Sequence, residues 1–389
     1  MRETRGPRTA FCCTTLGYRA AHSVNASSEA PVVATHTCRR KRVSPWKVYS
    51  RSWTRLQLNM ASYQVRGLRS EELEAWLEFV YGVFKDAKGT AAPPRSYFLR
   101  HVENDPGAVE RLSEDILVAV GEQDKFIGSL RIFRRRVYLK GSAVSAAGIG
   151  EVSVASAYRR QGIASRLLEE ASTRMRAAGF ALSFLHTSSS ESLYRSLGWI
   201  SVPQKFVRVV REVAHSHRDH IETLALGSEV EIQRCSEAYA EFASRFDGCI
   251  VRDDPAYWQR WVRAESGDTE WNDANLTPFR LQTRTKEAYA ILQKREDAIH
   301  VREFVVRLCG LKRAGLYLDA FLARAVSPDV RQVCAVLAAP LLPLIGGSSA
   351  VLETTEDHGY MYRALLEQDA GQQALPEMDR HVFWATDAF

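Results

Sequence analysis

The sequence predicts an α/β fold built on a mixed sheet with helices on both faces. Three observations carry this. From Met60 onward, period-two alternation and helical stripes succeed one another in the order β-α-β-β-β-α-β-α-β-β. Two long strand-like runs, residues 125–139 and 143–154, are separated only by Lys140, Gly141 and Ser142, so they predict an antiparallel hairpin. The α-then-β order resumes beyond residue 221, which predicts a second domain of the same kind.

Residues 62–68 alternate and read as a strand. Ser70 is placed to cap the next helix, whose Leu73, Trp76, Leu77, Val80 and Phe84 fall on one stripe. Residues 92–107 read as a loop with a short helix. Residues 115–120 pair with 125–139 through a Gly-Glu-Gln-Asp turn, and 143–154 supply the next strand. A helix from about 163 to 178 turns Leu167, Leu168, Ala171 and Met175 inward and stops at Gly179. A short buried strand (180–186) and a capped helix ended by a glycine (188–198) follow. Residues 199–202 and 206–213 then close the sheet.

These readings divide the chain into an extension (1–59), a first domain (60–213), a His-rich linker (214–220) and a second domain (221–389). In the second domain, 237–246 and 255–265 are amphipathic helices, 278–306 holds three consecutive strands, and 381–389 reads as a final core strand. The arrangement is that of a degenerate duplicate of the first domain.

Charge narrows the partners. The chain carries +6, but nine Arg and two Lys against Glu3 and Glu29 give residues 1–59 a charge of +9. Subtracting that leaves −3 on the other 330 residues, a balance that argues against a nucleic-acid partner. The longest apolar run, 334–347, is broken by Pro340 and Pro343 and is too short to cross a bilayer, so no membrane partner is expected. Seven cysteines at 12, 13, 38, 235, 249, 309 and 334 contain no C-x-x-C pair. No metal site is expected from them, nor from the histidines of 215–220, which lack ligand partners at zinc spacing. The scatter fits thiols in a reducing compartment.

Residues 1–59 lack hydrophobic periodicity and are rich in Arg, Ser and Thr, as transit peptides are. They equally suit an upstream extension, because Met60 opens "MASYQVRGLRSEELEAW", which reads as a protein start. The first alternative places the protein in a mitochondrion or plastid, the second in the cytoplasm. No apolar signal-peptide core is present, which argues against secretion.

The chemistry centres on "EVSVASAYRRQGIASRLLEEA", a strand that turns into a helix through two arginines and a glycine (151–171). The first N–H groups of a helix have no intrahelical partner, and the helix dipole favours an anion there. Gly162 lets the backbone approach that anion closely, and Arg159 and Arg160 add charge-assisted bonds. The chain has no G-x-x-x-x-G-K-[ST] loop and no dinucleotide fingerprint.

With the downstream "SLYRSLGW", this stretch (about 148–202) resembles the GNAT superfamily of acyl-CoA-dependent N-acyltransferases. Arg159, Gly162 and Ala164 fill the defined positions of the family's Arg/Gln-x-x-Gly-x-Gly/Ala motif. The resemblance implies a GNAT fold followed by a second, degenerate GNAT-like domain. It implies acetyl-CoA as co-substrate, with its pyrophosphate on Arg159, Arg160, Gln161, Gly162, Ile163, Ala164 and Ser165. Its pantetheine arm is expected along Val152, Ser153 and Val154 and beside Ser189 and Ser190. Tyr194 is the expected acid for the departing thiolate, and Glu151, on the fourth strand, the candidate base.

The stretch is similar above all to multidomain Eis-type acetyltransferases and to fungal lysine N-acetyltransferases. The Eis-type resemblance implies that the terminal carboxylate, here of Phe389, helps deprotonate the amine. The expected reaction is transfer of acetyl to a primary amine of a small molecule, lysine- or polyamine-like. Acidic residues such as Glu303 or Asp387 are candidates to line the acceptor cleft. A protein or peptide acceptor, and a non-catalytic acyl-CoA-binding role, stand as alternatives.

Overall fold

The computed structural model describes residues 63–89, 92–213, 221–265, 280–295, 297–346, 350–366, 375–384 and 387. The expectations attached to residues 1–59, to the His-rich stretch and to the carboxylate of Phe389 lie outside the described residues. Among the described residues no helix is long and apolar enough to cross a membrane.

The first half runs β1 (Gln64–Gly67), α1 (Leu73–Lys88), α2 (Arg95–Asn104), α3 (Leu112–Asp115), β2 (Ile116–Val120), β3 (Phe126–Leu139), β4 (Ser142–Val154), α4 (Ile163–Ala177), β5 (Leu182–His186), α5 (Glu191–Ser196), β6 (Ile200–Ser201) and β7 (Gln204–Glu212). The second half begins with β8 (Glu222–Thr223) and α6 (Glu229–Ala243), then a π-helical turn at Tyr257–Val262 that continues as α7 (Arg263–Glu265). β9 (Arg280–Arg284), β10 (Ala288–Lys294), β11 (Ile299–Val306), α8 (Ala314–Arg324) and β12 (Gln332–Ala338) follow. The half ends with α9 (Leu342–Ile345), β13 (Ala350–Asp357) and β14 (Tyr360–Ala364).

The expected order of elements is present in the first half, with two local differences: α3 is added ahead of β2, and the start of α1 is not capped by the serine. The short helix expected within residues 92–107 is α2, of 10 residues, held because Phe98 and Val102 bury against the core one turn apart. Ser70 lies inside a 3-10 turn and does not cap α1. Glu72 closes that turn instead, accepting the Arg69 N–H at 3.0 Å and a two-pronged bond from Arg66.

The strands form two 7-stranded sheets, β1-β2-β3-β4-β5-β14-β6 and β8-β9-β10-β11-β12-β7-β13. Each half gives its last strand to the other's sheet. Residues 206–213, expected to close the first sheet, therefore belong to the second, paired antiparallel to both β12 and β13. Alternation in a strand fixes which face it buries but not which edge it joins, so the sequence pattern is equally satisfied by either sheet.

One apolar cluster runs through both halves, from Phe133, Val137 and Phe184 of the first sheet to Phe304 of the second and to Phe242, Trp258 and Phe321 of the helical segments of the second half. A separate cluster packs α4 on the first sheet through Leu167, Leu168, Ala171 and Met175, the stripe read from the sequence. The C-terminal residues 381–384 are buried but join neither ladder. His381 makes an isolated bridge with Asp247, and the Phe383 N–H bonds Gln204 Oε1 at 2.8 Å.

Candidate active site

β4 and β5 are parallel neighbours, but their pairing covers only Ala146–Leu182, Ala147–Ser183 and Gly148–Phe184. Beyond Gly148 the strands separate, and the edge of β4 from Ile149 to Val154 opens onto a cleft. The opening coincides with a β-bulge. Ser129 of β3 pairs with Ser153, whereas Arg131 pairs with Gly150, so Leu130 faces both Glu151 and Val152. Glu151 takes the left-handed conformation, φ 55°, which bends the strand away from β5. The Ala155 N–H bonds back to Ile127 O, so alternation turns the N–H and C=O of Val154 and Val152 toward the open side. Arg159 Nε meets the Val154 carbonyl there at 3.1 Å. The Ser153 hydroxyl is buried and bonds the Glu151 carbonyl, and its backbone, opposite Ser129, is turned toward β3, so Ser153, expected along the pantetheine arm, offers the open edge no polar group.

The turn into α4 is built by two left-handed residues, Arg160 (φ 61°) and Gly162 (φ 80°), the latter the N-cap. No side chain caps this helix, and a Cβ on Gly162 would meet nothing within 4 Å. Arg166 is the first residue to bond back, to Gly162 O, which leaves the N–H groups of Ile163, Ala164 and Ser165 without an intrahelical partner. The Ile163 side chain is in the core, while Arg159, Arg160, Gln161 and Gly162 are exposed at the mouth. Gln161 Nε2 bonds Ala157 O and so stiffens the turn.

Two cavities meet in this cleft. One, of about 560 Å³, is lined by Val152, Val154, Arg159, Arg160, Gly162, Ala164, Ser165 and the inner face of α1. Its charged lining residues are Arg159, Arg160 and Lys88, with no carboxylate. The other, of about 620 Å³, contains four carboxylates, Glu151, Glu191, Glu356 and Asp357, against the same Lys88. Both are bordered by Phe84, Val152, Ser189, Ser190 and Tyr194. The Thr187 hydroxyl accepts the N–H of Ser190 at 3.0 Å and fixes the serine loop ahead of α5.

Tyr194 stands at the junction, 7% exposed and edge-on to Trp199. Burial pushes its phenol up to about 12, so it is protonated at neutral pH. Glu151 is also buried. Its Oε1 lies 3.1 Å from His101 Nδ1, and its Oε2, with no access to bulk water, has no hydrogen-bond partner. The His101 ring sits between Tyr97 and Trp261, at centroid distances of 4.1 and 4.9 Å. Nearby, Asp105 at the end of α2 joins Arg131 and Arg135 of β3 at 3.0 and 2.6 Å, which fixes the helix carrying His101.

The second half supplies part of the wall through the β13–β14 turn, but not through the residues expected. Glu303 and Asp387 are fully buried on either side of Arg252, with Nη2 contacts of 2.8 and 2.9 Å, and border neither cavity. An acid among apolar neighbours reads the same whether it faces a ligand or a buried arginine. Sequence reading also missed His101, His186 and Asp357. His186 carried a signal: it ends a parallel strand, the edge at which α/β sheets bind ligands.

Among the described residues no group of His, Cys, Asp and Glu is placed to hold a metal ion. Cys235 and Cys249 are buried and free, and Cys309 is exposed.

This fold and cleft define an acyltransferase class, and comparison with known proteins agrees. Residues 64–201 match an acetyltransferase (GNAT) domain family. The chain is similar in structure to a GCN5-related N-acetyltransferase from Kribbella flavida (TM-score 0.58, 18% identity, 78% of this chain and 71% of that one). A GCN5-related N-acetyltransferase from Anabaena variabilis is likewise similar (TM-score 0.56, 18% identity, 78% and 73%). So is Eis1 from Mycobacterium abscessus (TM-score 0.53, 16% identity, 78% and 74%). No curated protein matches the chain by sequence. Residues 64–201 belong to the GNAT superfamily of acetyl-CoA-dependent N-acetyltransferases, and a second sheet-containing domain follows them.

Proposed function

We propose that the protein transfers the acetyl group of acetyl-CoA to a primary amine of a small cationic molecule, lysine- or polyamine-like. One observation carries the reading: the cleft changes sign across Tyr194, from arginines without a carboxylate to four carboxylates around one lysine. A polyanionic donor suits the first half and an ammonium the second.

Arg159, Arg160, Gln161 and the free N–H groups at Gly162, Ile163, Ala164 and Ser165 take the pyrophosphate in this reading. The outward peptide groups of Val152 and Val154 take the pantetheine arm, with Ser189 and Ser190 across from them. Tyr194 holds its proton until the thiolate departs and then gives it up. Glu151 is the carboxyl group that receives the ammonium beside the thioester. Its second oxygen has no protein partner, and His101 holds the first.

The test follows free thiol release from acetyl-CoA by the full chain as L-lysine, spermidine and a basic peptide are added in turn. Saturable release with a small amine, lost in Gly162→Glu, supports the proposal. Release with the peptide alone moves the acceptor to proteins. Tight coenzyme binding without release by any amine replaces the enzyme reading with a binding role.

A further inference from the structure

We propose that His186, held by Asp357, is the general base that takes the proton from the acceptor ammonium. The inference rests on the proposed function and names a residue pair that the sequence motifs do not contain. His186 ends β5, and Asp357 ends β13, 171 residues away. Strand exchange brings them together, because β14 pairs along β5, with Tyr360 opposite His186.

The pair has the geometry of an oriented base. His186 Nε2 lies 3.0 and 3.2 Å from the two Asp357 oxygens. A carboxylate only accepts, so Nε2 carries the proton and Nδ1 keeps its lone pair. Nδ1 has no partner among the described residues, the side chain remains 32% accessible, and both residues border the acidic cavity. Burial acts to raise the Asp357 carboxyl, but the His186 bond and the Gly359 N–H outweigh it and hold the group below its ordinary range. Asp357 is therefore ionised at neutral pH and stabilises an imidazolium beside it.

The docking is close-fitting. A Cβ on Gly359 would lie 2.4 Å from Thr187 O and 2.7 Å from His186 Nε2, so the turn must present glycine there. Continuing the β4–β5 register two residues past Gly148–Phe184 sets His186 level with Gly150, next to the bulge. The charged groups that face the imidazole are Asp357, Glu356 and His358 on the turn. Glu151 on β4, Glu191 at the start of α5 and Lys88 on α1 border the same cavity. Tyr360 packs edge-on to the ring at 4.7 Å.

The step balances as follows. Nδ1 of His186 takes a proton from R–NH3+, and the freed amine attacks the thioester carbon. A C–N bond forms, the C–S bond breaks, the thiolate takes the Tyr194 proton, and the second proton lost by the attacking nitrogen as it becomes an amide restores the phenol. Solvent then receives the proton from the imidazolium and, overall, one proton is released per turnover.

The experiment compares pH profiles of kcat/KM for wild type, His186→Gln and Asp357→Asn, with the amine found in the thiol-release assay. Glutamine keeps an N–H for Asp357 and removes only the lone pair. Expected is a loss of roughly 10²- to 10⁴-fold in His186→Gln, with the acid limb of the profile gone. Asp357→Asn is expected to shift that limb, and both variants should keep wild-type acetyl-CoA affinity and melting temperature. An acid limb that persists unchanged in His186→Gln, or activity within threefold of wild type, overturns the inference alone. A wild-type enzyme that releases no thiol with any amine overturns the proposed function and this inference together.

Discussion

Acidification should destabilise the protein through one buried histidine before any surface carboxylate matters. His381 is fully buried, its Nε2 receives the Tyr362 hydroxyl at 2.7 Å, and its Nδ1 lies 3.4 Å from Pro203 O. Gly248 closes the pocket: a Cβ there would sit 2.8 Å from the ring. Burial pushes the imidazole down to about 4 from an ordinary 6.5. The folded state therefore binds fewer protons than the unfolded chain between those values. The contribution is complete above pH 6.5 and is lost as pH falls toward 4. Linkage gives a loss on the order of 1 kcal/mol at pH 5.5 and roughly 3 kcal/mol at pH 4. His300, also depressed to about 4 by burial with Arg295 and Arg302 nearby, adds to it in the same window. The assay is urea unfolding from pH 7.5 to 4.5 for wild type and His381→Asn. The variant should begin less stable and fall less steeply, so the two curves converge. Parallel curves would refute the assignment of the acid loss to this site.

Three further outcomes follow from the geometry. Tyr194→Phe should lower kcat by roughly 10²- to 10⁴-fold while calorimetry finds acetyl-CoA affinity unchanged, since only the proton donor is removed. Gly162→Glu should weaken acetyl-CoA binding about tenfold or more by placing a carboxylate where phosphate belongs. The space around this residue is open but its backbone is left-handed, φ 80°, so a side chain there also costs some stability; Gly162→Ala, which carries the same strain without the charge, should bind acetyl-CoA more tightly than Gly162→Glu. Arg252→Ala should cost about 3–5 kcal/mol in urea unfolding, because Glu303 and Asp387 would stay buried without their cation.

Much of this molecule was legible locally. The stripe on α4, the β3–β4 hairpin and the arginine-glycine turn are each set by neighbours within a few residues, and each stands where the sequence put it. What was not legible depends on partners far along the chain. The pattern of β7 marks a strand but cannot say that β12 is its neighbour. The bulge that aims Glu151 exists only in register with Leu130. His101 reaches Glu151 across 50 residues, and His186 reaches Asp357 across 171, so neither pair has a spacing that a linear reading would notice.

The two sheets share one plan and differ at the opening between their central strands. The second sheet repeats the first in its order, in the insertion of a foreign strand, and in the bulge. β10 and β11 slip register between Ile291 and Leu292, leaving Arg302 as the extra residue where the first half has its Glu151–Val152 bulge. The separation is repeated as well, since β11 and β12 pair only at Ile299–Ala335 and His300–Val336. Yet the cavity at that second opening measures about 20 Å³. Phe206, Tyr360, Phe383 and Trp384 border it, the first two from the β7 and β14 strands and the last two from the C-terminal segment. An edge that presents unpaired peptide groups must be covered by ligand, water or protein. In the second half protein covers it, and Arg252, Glu303 and Asp387 lie locked beneath. With its own opening filled, that half holds the β13–β14 turn against β5. The wall of the acidic cavity in the first half is thus made in part by the β13–β14 turn, which belongs to the second.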